Sequence, residues 1–282
     1  MERNFLLKIE YDGSGFSGWQ RQPEARTVQG ELEAALSQVM GKPVQIHGTS
    51  RTDAGVHALG QQASFSGEFG IPTERIAQAV NNRLAGKGGG IGKIGRVGDV
   101  RILSVCEMPT EFHARFSSLG KRYRYLIGNS PETDIFRRKY CYQVQEPLDD
   151  GAMQEAADLL VGTHDFACFQ ASGSTPRETT VRTIYSLTVN RRGQDIVLEV
   201  TGDGFLYNMV RIITGTLVEV GLGRRRPEDM TGILKSCDRQ KAGHTAPPEG
   251  LYLAEVFFDE AAVRAAREEG MDMDCRDKEK KL

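Results

Sequence analysis

An aspartate in a tight turn is the first feature of this sequence that could do chemistry. Residues 50–58 read SRTDAGVHA, which places Asp53 just before an Ala-Gly pair. Taken alone, the segment is typical of a turn, because Asp side chains bind neighbouring backbone amides and Gly accepts positive φ. A carboxylate held in such a loop could also act as a nucleophile, provided that a nearby cation keeps it ionised.

A candidate for that cation lies in an apolar segment near the C-terminus. Residues 205–220 read FLYNMVRIITGTLVEV, with Arg211 and Glu219 as the only charges. The pattern predicts a largely buried helix. A buried arginine is costly unless it meets an anion, and Asp53 would serve as one; alternatively, the guanidinium extends to the surface. A polar stripe is expected around Arg211 at helical spacing, formed by Tyr207, Asn208, Thr214 and Gly215.

A third candidate group alternates along the predicted strand 121–127, KRYRYLI. Lys121, Tyr123 and Tyr125 share one face, whereas Arg122 and Arg124 share the other. The first face could stack an aromatic ring on a nucleobase, and the second could bind phosphate or a carboxylate. By itself, Tyr123 would be interpreted as an ordinary half-buried strand residue.

The elements that must position these residues follow from periodicity and turn signals. Strands are predicted at 5–11, 44–47, 61–65, 100–107, 121–127, 183–190, 195–201 and 251–258. Helices are predicted at 28–39, 74–84, 149–160 and 205–220, with Gly41 ending the first. This order predicts an α+β protein with an N-terminal domain at 1–108, a C-terminal domain at 109–258, and a charged tail at 259–282 that begins as a short helix.

Composition bears on partners and compartment. The net charge is only −2, but six basic residues lie between Lys121 and Tyr142, and Arg224–Arg226 form a second cluster. Phosphate binding depends on such local charge. The five cysteines form no CxxC pair, which argues against a disulfide framework or a zinc site and favours the cytoplasm. No apolar run approaches the ~20 residues of a membrane span, and no secretory signal is recognisable.

Six segments in register make the sequence resemble the TruA family of tRNA pseudouridine synthases. Besides SRTDAGVHA, they are YDGSGFSGWQRQ (11–22), EFHARFSSLGKRYRY (111–125), GTHDFACF (162–169), FLYNMVRIITGTLVEVG (205–221) and HTAPPEGLYL (244–253). The resemblance implies two similar α/β subdomains with a largely antiparallel mixed sheet and a central basic cleft. It also implies isomerisation of uridine to pseudouridine at positions 38, 39 and 40 of the tRNA anticodon arm, without cofactor or metal, by a protein that is typically a homodimer.

The resemblance also implies roles for individual residues. Asp53 matches the catalytic aspartate, which attacks either the ribose C1′ or the base, and Arg211 matches the arginine paired with it. Tyr123 matches the tyrosine that stacks on the target base and helps to move the C5 proton. Arg51 matches a residue that takes the place of the flipped nucleotide. We expect Arg122 and Arg124 to contribute to substrate binding. His57 and His113 are expected to be packed or hydrogen-bonded, and Trp19 to be structural or to contact RNA.

Some features depart from the family pattern. Ser50 stands where Gly is usual, which is harmless unless that position needs positive φ. Ala85 replaces a usual proline, and seven of the thirteen residues in 86–98 are glycine, with three basic residues and no acidic partner. Residues 90–95 match GxGxxG, but a helix precedes them and a strand follows, which is the reverse of the order in a dinucleotide site. The segment is either a loop that contacts the tRNA backbone or an insertion without consequence.

Three functions are each compatible with some of these features. A tRNA-modifying isomerase accounts for Asp53, Arg51, Tyr123 and Arg211 together. A tRNA-binding protein that has lost the chemistry would not need all four, and a nucleotide-dependent oxidoreductase rests on the Gly-rich segment alone.

Overall fold

The computed structural model describes residues 2–85, 98–173 and 178–268. In chain order its strands are β1 (Arg3–Tyr11), β2 (His47–Gly48), β3 (His57–Gly67), β4 (Val100–Met108), β5 (Gly120–Asn129), β6 (Tyr142–Val144), β7 (Gly162–Asp165), β8 (Val181–Arg192), β9 (Asp195–Gly202) and β10 (Leu251–Phe257). The helices are α1 (Val28–Met40), α2 (Thr73–Leu84), α3 (Asp150–Asp158), α4 (Met209–Gly221) and α5 (Asp229–Ser236), followed by α6 (260–268).

The chain forms two compact units, one of Met1–Ser118 with Tyr252–Val256 and the other of Leu119–Leu251 with Phe257–Leu282. This division differs from the expected boundaries at 108 and 258. Residues 109–118 belong to the first unit because the Asn4 side-chain amide donates to the carbonyls of Pro109 and Phe112, each at 2.8 Å. Most of β10 belongs there too, since Tyr252 pairs in parallel with His57 of β3.

In the first unit the strand order is β4-β1-β3-β10, with β2 against β3. Strand β1 pairs antiparallel with both β3 and β4. Helix α1 packs against α2, and α2 packs against β4. Thr27 caps the start of α1 by accepting from the Gly30 amide, and Gly41, at φ 72°, ends it as predicted.

The predicted strand at 44–47 is wrong except for its last residue. The amide of Ile46 donates to the Glu33 carboxylate at 3.1 Å, and its carbonyl accepts from Gln29 at 3.2 Å. Side chains of α1 therefore bind the backbone groups that a neighbouring strand would otherwise bind. Val44 and Ile46 are both buried, so the apolar residues were correctly expected in the core while their backbone conformation was not.

In the second unit the order β5-β9-β8-β7 is antiparallel, and β6 adds to β5 in parallel. The predicted hairpin is confirmed, with Gly193 at φ 64° between its strands. Helix α3 packs against both α4 and β8. Together the two units confirm the mixed α/β class with a largely antiparallel sheet.

Helix α4 confirms the predicted buried helix but begins later than residue 205. Asn208 adopts a left-handed conformation, at φ 59° and ψ 9°, so that the first helical residue is Met209. Every residue of α4 except Arg211 and Glu219 is buried. Tyr207 and Asn208 therefore lie outside the helix, and the expected polar stripe does not form as a helical face.

The tail begins with α6, as expected. The Asp259 side chain accepts from the Ala262 amide at 2.7 Å and caps the helix. Val263 and Ala266 pack against Phe257. Residues 269–282, and residues 86–97 of the Gly-rich segment with its GxGxxG match, lie outside the described residues. Within the described ranges, none of the helices is both long enough and apolar enough to cross a membrane.

Candidate active site

The loop that carries Asp53 is packed directly against the Gly-rich turn 13–18. A Cβ on Gly18, which has φ +90°, would lie 2.7 Å from the Thr52 carbonyl oxygen. A Cβ on Gly13 would lie 1.9 Å from the Val56 carbonyl oxygen. Only glycine allows both approaches, so two of the segments recognised in the sequence fit together around Asp53.

Hydrogen bonds to neighbouring residues and within the loop also fix the same segment. The hydroxyls of Tyr11 and Thr52 are 2.8 Å apart, and the Trp19 amide donates to the Thr52 carbonyl at 3.0 Å. The Val56 amide donates to the Asp53 carbonyl at 3.2 Å, closing a turn. Asp53 is half-buried and Arg51 is exposed. The backbone is therefore a fixed turn, and Asp53 as a whole is only partly buried.

The replacement of glycine by Ser50 introduces no strain. Ser50 is absent from the residues with positive φ, which apart from glycines are Glu24, Asn208 and Cys237 in the described part of the chain. Ser50 is buried, and its carbonyl accepts from the Gln61 side chain at 2.8 Å. Of the two alternatives left by the sequence, the harmless substitution is the correct one.

His57 and Trp19 have structural environments. The Gly13 amide donates to Nδ1 of His57 at 3.1 Å, and the imidazole stacks on Tyr252 with ring centroids 4.7 Å apart. Trp19 is 2% exposed and lies so close to Gly48 that a Cβ there would be 2.5 Å from the indole. Both side chains fix the frame of the loop, and the exposure of Trp19 is too small for a stacking surface.

Tyr123 lies on β5 in the second unit. The predicted alternation is confirmed, because Tyr123 and Tyr125 are both buried while Arg122 and Arg124 are half-exposed. The Tyr123 and Phe205 rings meet in a T-shaped contact, with centroids 5.2 Å apart and planes at 84°.

The two arginines of β5 have partners on β9. Arg124 Nε donates to the Glu199 carboxylate at 2.9 Å, and Arg122 Nε donates to the Thr201 hydroxyl at 3.3 Å. Of the two options stated for this face, Arg124 thus binds a carboxylate of the protein itself.

Arg211 is half-buried and is bound from two directions. Its Nε donates to the Ala246 carbonyl at 2.7 Å, and its Nη1 donates to the Asn208 side-chain oxygen at 3.0 Å. The Ala246 amide in turn donates to the Arg211 carbonyl at 3.0 Å. Asn208 is therefore a partner of Arg211 as the sequence suggested, although it reaches the guanidinium from outside the helix.

The segment 241–247 runs along α4 and holds Arg211 in place. Its close approach depends on Gly215, where a Cβ would be 1.9 Å from the His244 carbonyl oxygen. The Gly243 amide donates to the Thr216 hydroxyl at 2.9 Å. Thr214, by contrast, donates to the Val210 carbonyl of its own helix. Gly215 therefore has the role of permitting close contact, whereas Thr214 contributes nothing to Arg211.

Tyr125 was not recognised as a site residue from the sequence. Its hydroxyl donates to the Pro247 carbonyl at 2.6 Å, one residue from the Ala246 that holds Arg211. Burial, and then the charge of Glu249, raise the pKa of Tyr125 well above its ordinary value, against the opposing effect of Arg211. The phenol therefore keeps its proton and remains a donor to Pro247.

The sequence also did not predict a structural role for Glu219, although it is the only charge in α4 besides Arg211. Its carboxylate accepts from Arg225 Nε at 2.6 Å and from the His244 amide at 2.9 Å. Burial, the largest single effect, raises its pKa, but hydrogen bonds from Arg225 and His244 outweigh it and lower the pKa to about 2. Arg225 thus neutralises a half-buried acid rather than adding to a free basic cluster.

The sequence-predicted residues are distributed over both units. Asp53 and Arg51 belong to the first, whereas Tyr123, Arg122, Arg124 and Arg211 belong to the second. The Asp53–Arg211 pair stays a prediction. No group of three or more His, Cys, Asp or Glu side chains in the described residues could hold a metal ion. Each of the four described cysteines is a free thiol.

Comparison with known proteins identifies the family. A family model described as tRNA pseudouridine synthase matches residues 8–101 and 156–259, more than half of the chain. The chain is 46% identical to tRNA pseudouridine synthase A of Acetivibrio thermocellus over 91% of its own length and 100% of that protein. The corresponding values are 46%, 92% and 100% for tRNA pseudouridine synthase A 2 of Clostridium tetani, and 48%, 89% and 97% for tRNA pseudouridine synthase A of Brevibacillus brevis. The protein therefore belongs to the tRNA pseudouridine synthase family.

Proposed function

We propose that this protein converts uridine to pseudouridine in the anticodon arm of tRNA, at positions 38, 39 and 40, with Asp53 as the nucleophile. The observation that carries the proposal is the Asp53 loop, in which a partly buried aspartate stands on a backbone held by Gly13, Gly18 and Thr52. A rigid support of this kind is what a nucleophile needs, since small misplacements are costly in rate. The relatives named above, matched over nearly their whole length, support the same reaction.

The proposed reaction is an isomerisation in which the atoms balance within the nucleotide, so it consumes no oxidant, reductant or group donor. The target base must first leave its stack. Asp53 attacks C1′ or the base, the bond from C1′ to N1 breaks, and the base rotates so that C5 bonds to C1′. The proton lost from C5 is balanced by one gained at N1. Cleavage of the C5–H bond is therefore a direct measure of turnover.

The other proposed roles follow from chemistry and burial. Arg51 is exposed beside Asp53, where it can take the place of the extruded nucleotide. Tyr123 would stack on the target base, and Arg211 would keep the Asp53 carboxylate ionised. Arg122 and Arg124 would contribute positive charge toward the RNA. A homodimer and a cytoplasmic location also stay predictions.

Tritium release from tRNA labelled at uridine C5 tests the proposal. We expect release with the unaltered protein and essentially none with Asp53→Asn, which keeps the size of the side chain but removes its nucleophilic charge. Asp99→Asn is the matched control, because Asp99 is a surface acid of the same unit, paired with Arg26 at 2.8 Å; it should retain full activity.

Two outcomes would contradict the proposal. An active Asp53→Asn protein with a normal melting temperature would refute the role of Asp53. Tight tRNA binding by an unaltered protein that releases no tritium would favour the alternative of a binding protein without the chemistry.

A further inference from the structure

Three aromatic rings lie one against the next in the first unit, each tilted relative to its neighbour, outside the residues assigned above. The ring centroids of His47 and His113 are 4.9 Å apart, and those of His113 and Phe116 are 4.5 Å apart, with interplanar angles of 35° and 36°. His113 is half-buried, His47 is exposed, and Phe116 is 76% exposed. We call these three residues the ring stack. It ends on a phenylalanine that faces solvent.

The backbone that carries the ring stack is held in place. The amides of Phe116 and Ser117 both donate to the His113 carbonyl, at 3.0 and 2.9 Å. The Ala114 amide donates to the Ser64 hydroxyl of β3 at 3.1 Å. Exposed single apolar side chains are common on protein surfaces and need no explanation. The Phe116 ring is exposed, packs at a tilt against a second ring and is carried by a hydrogen-bonded backbone, so it forms a preorganised surface.

The chemistry of this surface fits a nucleobase. Burial lowers the pKa of His113, and the charges of His47 and Arg115 lower it further, so that the central imidazole is neutral near pH 7. The Arg115 guanidinium lies 5.7 Å from the Phe116 ring centroid. Aromatic faces bind unstacked bases irrespective of sequence, and a neighbouring arginine can bind the phosphate of the same nucleotide.

The ring stack lies in the same unit as Asp53. His47 is in β2, six residues before Asp53, so their Cα atoms cannot be more than about 22 Å apart. A few nucleotides of an RNA strand span such a distance. One RNA molecule could therefore occupy both places at once.

We propose that the ring stack binds an unpaired base of the RNA substrate, other than the uridine that is isomerised, with Phe116 as the stacking face and Arg115 on the adjoining phosphate. The proposal rests on the proposed function insofar as the RNA is its substrate. The ring stack should affect the affinity for tRNA, whereas Asp53 should affect the rate of the chemical step. The two proposals can therefore be refuted separately.

The test measures the dissociation constant for an unmodified tRNA transcript, and separately kcat and KM by tritium release. Phe116→Ala and Phe116→Leu should weaken binding by about 5- to 150-fold, the range expected for one stacked base. Phe116→Tyr keeps the ring and should bind within about twofold of the unaltered protein. At saturating tRNA, kcat should be unchanged in all three variants, because the chemical step does not involve Phe116.

Leu103→Ala is the matched control, since Leu103 is an exposed apolar residue of the same unit, 39% accessible on β4. It should bind tRNA normally.

Unaltered affinity of Phe116→Ala for tRNA would overturn the proposal. Full affinity of Phe116→Leu would overturn it as well, because it would indicate apolar docking rather than stacking. A dimer in sedimentation that Phe116→Ala dissociates would assign this face to a second copy of the chain and would also overturn it. A protein that binds tRNA through Phe116 but releases no tritium would contradict the proposed function only.

Discussion

The substitution Tyr125→Phe removes one buried oxygen and leaves the packing unchanged. Tyr125 is 1% exposed, and its hydroxyl donates to the Pro247 carbonyl at 2.6 Å. Because the ring is retained, no cavity forms. The Pro247 carbonyl loses its donor, and a buried group left unsatisfied costs about 1–3 kcal/mol. Pro247 is half-buried, so we expect the lower part of that range, about 1–2 kcal/mol.

The same change should lower activity through Arg211. Pro247 adjoins Ala246, which accepts from Arg211 Nε at 2.7 Å and donates to the Arg211 carbonyl at 3.0 Å. If Arg211 acts on Asp53 as proposed, a shift of Ala246 misplaces a catalytic group, and shifts near 1 Å can cost about 10²-fold. We expect kcat to fall by about tenfold, with KM for tRNA near its original value, since the substrate-binding groups are not altered.

Urea unfolding measures the first effect and tritium release the second. Tyr142→Phe is the matched control, because its hydroxyl reaches His244 Nε2 at 3.3 Å in a half-exposed position; it should lose no more than about 0.5 kcal/mol. A Tyr125→Phe protein that loses stability as expected but keeps full kcat would refute the positioning role. If its stability were unchanged as well, the whole argument from the buried hydroxyl would fail.

The remaining predictions concern α4 and its neighbours. Glu219→Gln should cost about 3 kcal/mol at pH 7, because the pKa is about 2 in the folded protein against an ordinary value of 4.5 and each pKa unit is worth about 1.4 kcal/mol. Since the folded-state pKa is the lower one, this stabilisation is full above pH 4.5 and is lost as pH falls toward 2. Urea unfolding at several pH values should show the difference from the unaltered protein shrinking below pH 4.5, and a constant difference would contradict the linkage. Gly215→Ala should destabilise the protein by at least about 1–3 kcal/mol, because its Cβ would lie 1.9 Å from the His244 carbonyl oxygen. The control Gly232→Ala, in open space on α5, should stabilise by about 0.5–1 kcal/mol; equal melting temperatures for the two variants would refute the packing argument.

Features with a local physical cause could be predicted from the sequence. The buried character of α4 follows from a continuous apolar run, and the alternation of β5 follows from the two-residue period of a strand. Gly41 ends α1 because glycine accepts positive φ without strain. The short strands β6 and β7 were missed, since three or four residues carry no detectable period.

The sequence by itself determined which residues are candidates for the chemistry, because six recognisable segments in order led to the family and to Asp53, Tyr123 and Arg211. Only the tertiary structure decided what supports them. Tyr125 and Pro247 are 122 residues apart, and the Asn208 backbone turns left-handed immediately before the helix whose arginine it binds. Asn208 was expected near Arg211 from its spacing, but its left-handed backbone and its position outside the helix were not. Tyr125 and the Pro247 carbonyl become neighbours only on folding, so no local pattern in either segment records their pairing.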